Sequence, residues 1–175
     1  YTKGFDRHMK LERHYHTIPP IFDENSRVLI LGTFPSIKSR EANFFYHHPQ
    51  NRFWRVIAKL TGNIEPKNIE EKRKLLLDNN IAVWDVIHSC RLKGSSDSSI
   101  RDVVPNDLSV ILDHAPIENI FANGNKAYEL YMRYSFDEIK RPIEKLPSTS
   151  PANARWSFER LLEDWKVILA SDTYN

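Results

Sequence analysis

Two loops of this 175-residue chain gather the side chains best suited to do chemistry. From Gly32 to Trp54 the sequence reads GTFPSIKSREANFFYHHPQNRFW, a stretch too long and too aromatic for a mere connector. A flat π face beside a strand end can stack a heterocycle, worth about 1–3 kcal/mol per base. Phe34, Phe44, Phe45, Tyr46 and Phe53 are the candidates, although packing the loop onto a sheet is the commoner role for any one of them. His47, His48 and Asn51 bring polar groups to the same loop, and Asn51, immediately before an amphipathic pattern, is also an ordinary helix N-cap. The second loop, LPSTSPANAR, runs from Leu146 to Arg155. It reads either as a Pro-rich connector whose Ser and Asn cap a helix, or as short hydroxyls and free backbone amides that grip phosphates beside a rigid wedge. The residues alone leave both readings open.

The elements that must position these loops follow from the apolar pattern. Arg27 to Thr33, RVLILGT, is a β-branched run without alternation, as in a strand buried on both faces of a parallel sheet. Phe53, Val56, Ile57 and Leu60 recur at helical spacing. Ile81 to Ile87, IAVWDVI, reads as a second buried strand after a charged helical stretch holding Leu75 to Leu77. Asn119 to Asn123 reads as a third, with Gly124 opening a helix that places Ala127, Leu130, Tyr131 and Tyr134 on one face. A short fourth strand ends at Leu146, and Phe158, Leu161, Leu162, Trp165, Ile168 and Leu169 stripe a last helix. The expected fold class is α/β: a three-layer α/β/α sandwich around a short, mainly parallel four-stranded sheet. Ligands of open parallel sheets sit at the carboxyl ends of the strands, where the loops after Leu31, Ile87, Asn123 and Leu146 converge.

The bulk properties narrow the class of molecule. With 41% apolar residues, four Trp, seven Tyr and nine Phe, the chain folds, and its length suits one domain. We read that domain as residues 18–175, after an N-terminal extension, 1–17, whose first part, Tyr1 to His8, reads as an expression remnant and carries no weight. A net charge of +2 means that any nucleic-acid affinity must come from local patches. The single cysteine, Cys90, excludes an internal disulfide and a Cys-based zinc site and suits a reducing cytosol. No membrane span or signal peptide is apparent, so a soluble cytoplasmic protein is expected. His14, His16, His47 and His48 lack carboxylate or cysteine partners at ligand spacing and read as surface or loop histidines. No metal and no cofactor is expected.

The GTFPS segment, FYHHPQNRFW and LPSTSPANAR together resemble the uracil-DNA glycosylase superfamily, in particular its hypoxanthine-DNA (deoxyinosine) glycosylase branch. The resemblance runs from Ile18 to the last helix and includes WDVIHSC, Trp84 to Cys90, and GSSDSSI, Gly94 to Ile100. It implies a DNA glycosylase of base excision repair whose partner is DNA containing deaminated bases. The superfamily's mismatch-specific branch carries an Asn where this chain has Phe34, and the first motif lacks the Asp with which classical uracil glycosylases assist their water. The resemblance therefore gives the main catalytic or water-positioning part to Asn51.

Deamination turns a ring nitrogen acceptor into an N–H donor and the exocyclic amine into a carbonyl. An ionised carboxylate only accepts, so Asp85, near the second strand's end, would favour hypoxanthine N1–H or uracil N3–H over adenine or cytosine. A site that leaves a wrong base's buried polar group unpaired discriminates by up to about 10⁴-fold. Capping Ser89 or a loop amide is an equally ordinary use of Asp85. In the glycosylase reading, the target nucleotide leaves the stack and Phe45 or Tyr46 stacks on it. The Thr33 and Phe34 backbone meets its edge, while Pro35, Ser36, His48, Ser148, Thr149 and Ser150 contact the DNA backbone. Asn153 and Arg155 fill the gap left in the duplex. No lysine stands out as a Schiff-base nucleophile, so a monofunctional, monomeric enzyme without a strand-nicking step is expected. A uracil or mismatch-specific glycosylase and a non-catalytic nucleic-acid-binding module are the alternatives.

Overall fold

The computed structural model describes residues 11–93 and 97–169; Gly94, Ser95 and Ser96 of the GSSDSSI segment, residues 1–10 and residues 170–175 lie outside it. In chain order the strands are β1 (Glu12–Tyr15), β2 (Val28–Gly32), β3 (Ile81–Asp85), β4 (Ile87–Leu92), β5 (Arg101–Pro105), β6 (Asn119–Asn123) and β7 (Glu144–Leu146). The helices are α1 (Ile37–Ala42), α2 (Phe53–Leu60), α3 (Ile69–Asp78), α4 (Ser109–Leu112), α5 (Asn125–Tyr134), α6 (Phe136–Ile139) and α7 (Phe158–Trp165).

The expected four-stranded sheet is present, in the order β3-β2-β6-β7 and parallel throughout. Every residue of β2 and of β3 is buried, as the uninterrupted apolar runs require. Helices flank the sheet. α2 buries Phe53, Trp54, Val56, Ile57 and Ala58 and packs on α7, whose Leu161 and Trp165 are buried. α3 packs on β3 and is capped by Asn68, whose side chain accepts from the Glu71 N–H at 2.8 Å. Gly124, at the entry to α5, adopts φ 99°, a conformation open to glycine, and a Cβ there would press on Ser148.

Two parts of the architecture differ from the expectation. The run Ile81 to Ile87 is not one strand. The Val86 and Ile87 amides donate to the carbonyls of Gly32 and Thr33, β3 ends at Asp85, and the chain turns into β4 of a second, antiparallel sheet ordered β1-β4-β5. Within the stretch read as an N-terminal extension, Glu12 to Tyr15 form a paired strand: β1 pairs with β4 from Glu12 opposite Leu92 to Tyr15 opposite Ser89. Beyond it, Ile21 exchanges two backbone hydrogen bonds with Val83, covering part of the otherwise open edge of β3. Among the described residues no helix is long and apolar enough to cross a membrane.

Candidate active site

The carboxyl ends of β2, β3, β6 and β7 open into a cavity of about 760 Å³ lined by the aromatic loop on one side and by Ser148 to Ala152 on the other. Its volume is in the range that holds a small ligand. Thr33, Phe34, Pro35, Ser36, Phe45, Tyr46, His48, Asn51, Asp85, Ser148, Thr149 and Ser150 all line it. A second hollow of about 520 Å³ adjoins it through Thr33, Asn123, Ser148 and Ser150 and adds Lys126, Lys145 and Asn153. Arg155 is exposed and belongs to neither hollow.

Asn51 is held by its oxygen. The Phe53 N–H donates to Asn51 Oδ1 at 2.9 Å and the Thr149 hydroxyl donates to the same atom at 2.8 Å. Two donors on one atom identify it as the carbonyl oxygen, so the NH₂ is the polar edge left for a ligand. The capping role expected of Asn51 is thus real, although the residue next to the helix is Arg52, whose side chain makes no cap bond and instead reaches the Trp156 and Asn153 carbonyls. Thr149 is fully buried. Its hydroxyl also accepts from Asn123 Nδ2 at 3.0 Å, and its N–H donates to Asn123 Oδ1 at 3.0 Å. The hydroxyl expected to grip a phosphate is therefore committed inside the protein, tying the last loop to Asn51 across the cavity floor.

The aromatic loop is sorted by burial. Phe44 and Phe45 are core residues, each 2% exposed, with Phe45 still presenting part of its ring to the cavity. One face of Tyr46 packs inside the protein, its ring stacking on Phe53 at 4.2 Å between centroids, while the residue still lines the cavity. It adopts φ 50°, an uncommon conformation for so bulky a residue. That geometry sinks the hydroxyl, which makes no hydrogen bond of good geometry. Burial, then the nearby charge of Asp85, push its ionisation above the usual tyrosine range, with Asn123 easing the shift in part. Phe34 is half-buried. In the last loop Ser148 Oγ accepts from the Ser150 N–H, Ser150 Oγ accepts from the Ala152 N–H, and Asn153 Nδ2 donates to the Ser148 carbonyl. The Ser and Asn thus act as turn and cap residues while still bordering the two hollows. His48 accepts from the Gln50 N–H.

Asp85 stands opposite, 4% exposed. It does not cap Ser89, whose hydroxyl accepts from Arg13. Its Oδ2 lies 2.7 Å from His16 Nε2, and its Oδ1 packs so closely over Gly32 that a Cβ there would collide with it and sit 3.0 Å from the Tyr46 hydroxyl. Because a carboxylate only accepts, Nε2 carries the proton. The reading of His16 as a surface or loop histidine is wrong, since its side chain is 1% exposed. Sequence reasoning missed His16, Asn123, Lys126 and Lys145. A strand-end Asn before a glycine was the one available signal for Asn123; the others emerge only from the fold.

Comparison with known proteins places this arrangement. Residues 19–168 match the family described as the uracil DNA glycosylase superfamily. A protein of Methanosarcina acetivorans named hypoxanthine DNA glycosylase is 38% identical over 154 residues, covering 86% of this chain and 94% of its own length. Its namesake in Methanosarcina barkeri is 35% identical over 141 residues, covering 78% and 87%. The solution NMR structure of a Methanosarcina acetivorans protein described as a candidate uracil DNA glycosylase superposes with a TM-score of 0.72 at 33% identity, covering 87% of this chain and 96% of that one. The chain belongs to the uracil DNA glycosylase superfamily.

Proposed function

We propose that this chain is a monofunctional DNA glycosylase that flips deaminated bases out of DNA, hypoxanthine first among them, and hydrolyses their glycosidic bonds. The observation that carries this reading is the anchored Asn51. With its oxygen taken by Phe53 and Thr149, its amide acts as a donor, and a donor is what a departing base anion or an attacking water needs held in place. Asp85, across the same cavity, supplies the acceptor that a deaminated ring N–H seeks. The likeness to two relatives named hypoxanthine DNA glycosylase supports hypoxanthine as the chief substrate.

In this reading the flipped base enters over Gly32, meeting the Thr33 and Phe34 backbone and the exposed parts of Phe34 and Phe45. The neighbouring phosphates run past Pro35, Ser36 and His48 on one side and Ser148 and Ser150 on the other, toward Lys126 and Lys145. Arg155 enters the gap in the duplex, with Asn153 bracing the loop beneath it. Loss of the base then develops positive charge on the sugar and negative charge on the base, and water completes the hydrolysis. The protein works as a monomer on DNA.

The test is base release from matched oligonucleotides carrying one hypoxanthine, uracil, xanthine or normal adenine, followed by alkaline cleavage of the abasic sites. Hypoxanthine release is expected, falling by about 10²–10³ in Asn51→Ala, the usual cost of one preorganised donor. Release of uracil alone would transfer the assignment to a uracil or mismatch-specific glycosylase. No release of any base would leave a nucleic-acid-binding module.

A further inference from the structure

His16 is remote from the catalytic loops in sequence, yet its side chain is as buried as any in the core. Phe34, Phe45 and Trp84 surround its ring at 6.0, 6.0 and 6.3 Å between centroids. A buried imidazole among aromatics loses solvation, and the bond from Nε2 to Asp85 Oδ2 at 2.7 Å is what compensates it. For Asp85 the bond matters more. Among the described residues His16 is the hydrogen-bond partner of the carboxylate, while Asn106 reaches only the Asp85 backbone carbonyl, at 2.9 Å. A buried carboxylate without a donor takes up a proton, and a protonated carboxyl donates as well as accepts. It would then bind the bare ring nitrogen of adenine as readily as the N–H of hypoxanthine.

Resting on the reading of Asp85 as the acceptor for the base edge, we propose that His16 is the positioning residue that sets base selectivity. By donating to Oδ2 it occupies that oxygen and turns Oδ1, which packs over Gly32, toward the flipped base as an acceptor. Two titratable groups lie near Asp85. His16 comes from the segment after β1. Tyr46 comes from the loop between α1 and α2 and stays protonated because burial and the carboxylate's own charge oppose its ionisation. Tyr46 therefore brings no competing charge, and the orientation of the acceptor depends on His16.

The experiment measures single-turnover release of hypoxanthine and of adenine, across acid and neutral pH, for wild type, His16→Phe, His16→Gln and Asp85→Asn, with duplex binding and thermal unfolding as controls. Phe keeps a ring among the three aromatic neighbours and removes the donor; Gln restores a donor that does not titrate. His16→Phe is expected to lose about tenfold to a hundredfold in hypoxanthine release, the usual cost of losing an orienting partner. The hypoxanthine-to-adenine ratio should fall with it. His16→Gln should recover most of the rate and the ratio.

A His16→Phe variant that is slower with the ratio intact would overturn the proposal and leave His16 a packing residue. If His16→Phe is too unstable to assay, His16→Gln decides alone: a ratio kept near the wild-type value supports the proposal, and one fallen to that of Asp85→Asn overturns it. The underlying reading fails separately, when Asp85→Asn still distinguishes hypoxanthine from adenine.

Discussion

The cavity has two polar poles built on opposite principles. At one, Asn51, Thr149 and Asn123 form a closed lattice of amides and a hydroxyl in which each member is held by at least two hydrogen bonds. At the other, among the described residues, Asp85 rests on one side-chain bond, to His16, and on the bare surface of Gly32. The first pole contains nothing that titrates and, once built, presents the same donor at any working pH. The second is a carboxyl group taken out of water, oriented by its bond to His16. A site that must both break a bond and choose a base gains from this separation: on the proposed function, the chemistry would rest on the rigid pole and the choice on the other.

The sharpest way to break the comparison is Asn51→Asp. The substitution preserves the oxygen that Phe53 and Thr149 use and replaces only the NH₂ by a second acceptor. If Asn51 acts as a donor, base release falls by about 10²–10³ while duplex binding and the unfolding temperature stay close to wild type. A general-base role would instead be preserved or improved by Asp, so the sign of the effect separates the two.

Gly32→Ala attacks the other pole. The added Cβ collides with Asp85 Oδ1, and because Oδ2 is tied to His16, either that bond or the strand end must give. A loss of about tenfold to a hundredfold in hypoxanthine release is expected, accompanied by a lower hypoxanthine-to-adenine ratio, which Asn51 variants should leave unchanged. Competition between the two substrates in one reaction reads the ratio directly.

Thr149→Val tests how far the rigid pole depends on its bridge. The variant keeps the volume and removes the hydroxyl that joins Asn51 to Asn123, leaving a buried amide short of a partner. Destabilisation of about 1–3 kcal/mol is expected by denaturant unfolding. Release should fall only by about tenfold, because Phe53 still holds Asn51. A loss equal to that of Asn51→Asp would mean that Thr149 itself touches the reacting groups.

Each pole was partly legible in the sequence: Asn51 stands out at one and Asp85 at the other, while the partners that hold them, Thr149 with Asn123 and His16, do not. Asn51 announces itself by standing before an amphipathic helix, and β2, β3 and β6 by apolar runs that a doubly covered strand requires. The second sheet gives no such signal. β1 reads ERHY, β5 is mostly exposed, and β4 pairs with β5 through shifts of register, so neither alternation nor apolar continuity marks them. His16 and Asp85 lie 69 positions apart, and Asn51 and Thr149 98 apart. No spacing rule spans such distances; only the closing of the sheets brings them together. In the aromatic loop composition identifies candidates for stacking, but only the fold shows that Phe44 joins the core and that one face of Tyr46 packs on Phe53.

The smallest effect is expected away from both poles. Lys126 and Lys145 border the adjoining hollow, with Lys145 Nζ 3.2 Å from Asn125 Oδ1 and 5.5 Å from the Tyr128 ring centroid. A lysine against a phosphate acts through counterion release, which carries no information about the base. Replacing each by Ala should weaken duplex binding alike for damaged and undamaged DNA and reduce the slope of log affinity against log salt by about 1 per lysine. The hypoxanthine-to-adenine ratio should not move. A ratio that did change would mean that the phosphate track helps select the flipped base, and the division between a pole that cleaves and a pole that chooses would then have to include the groove that leads to them.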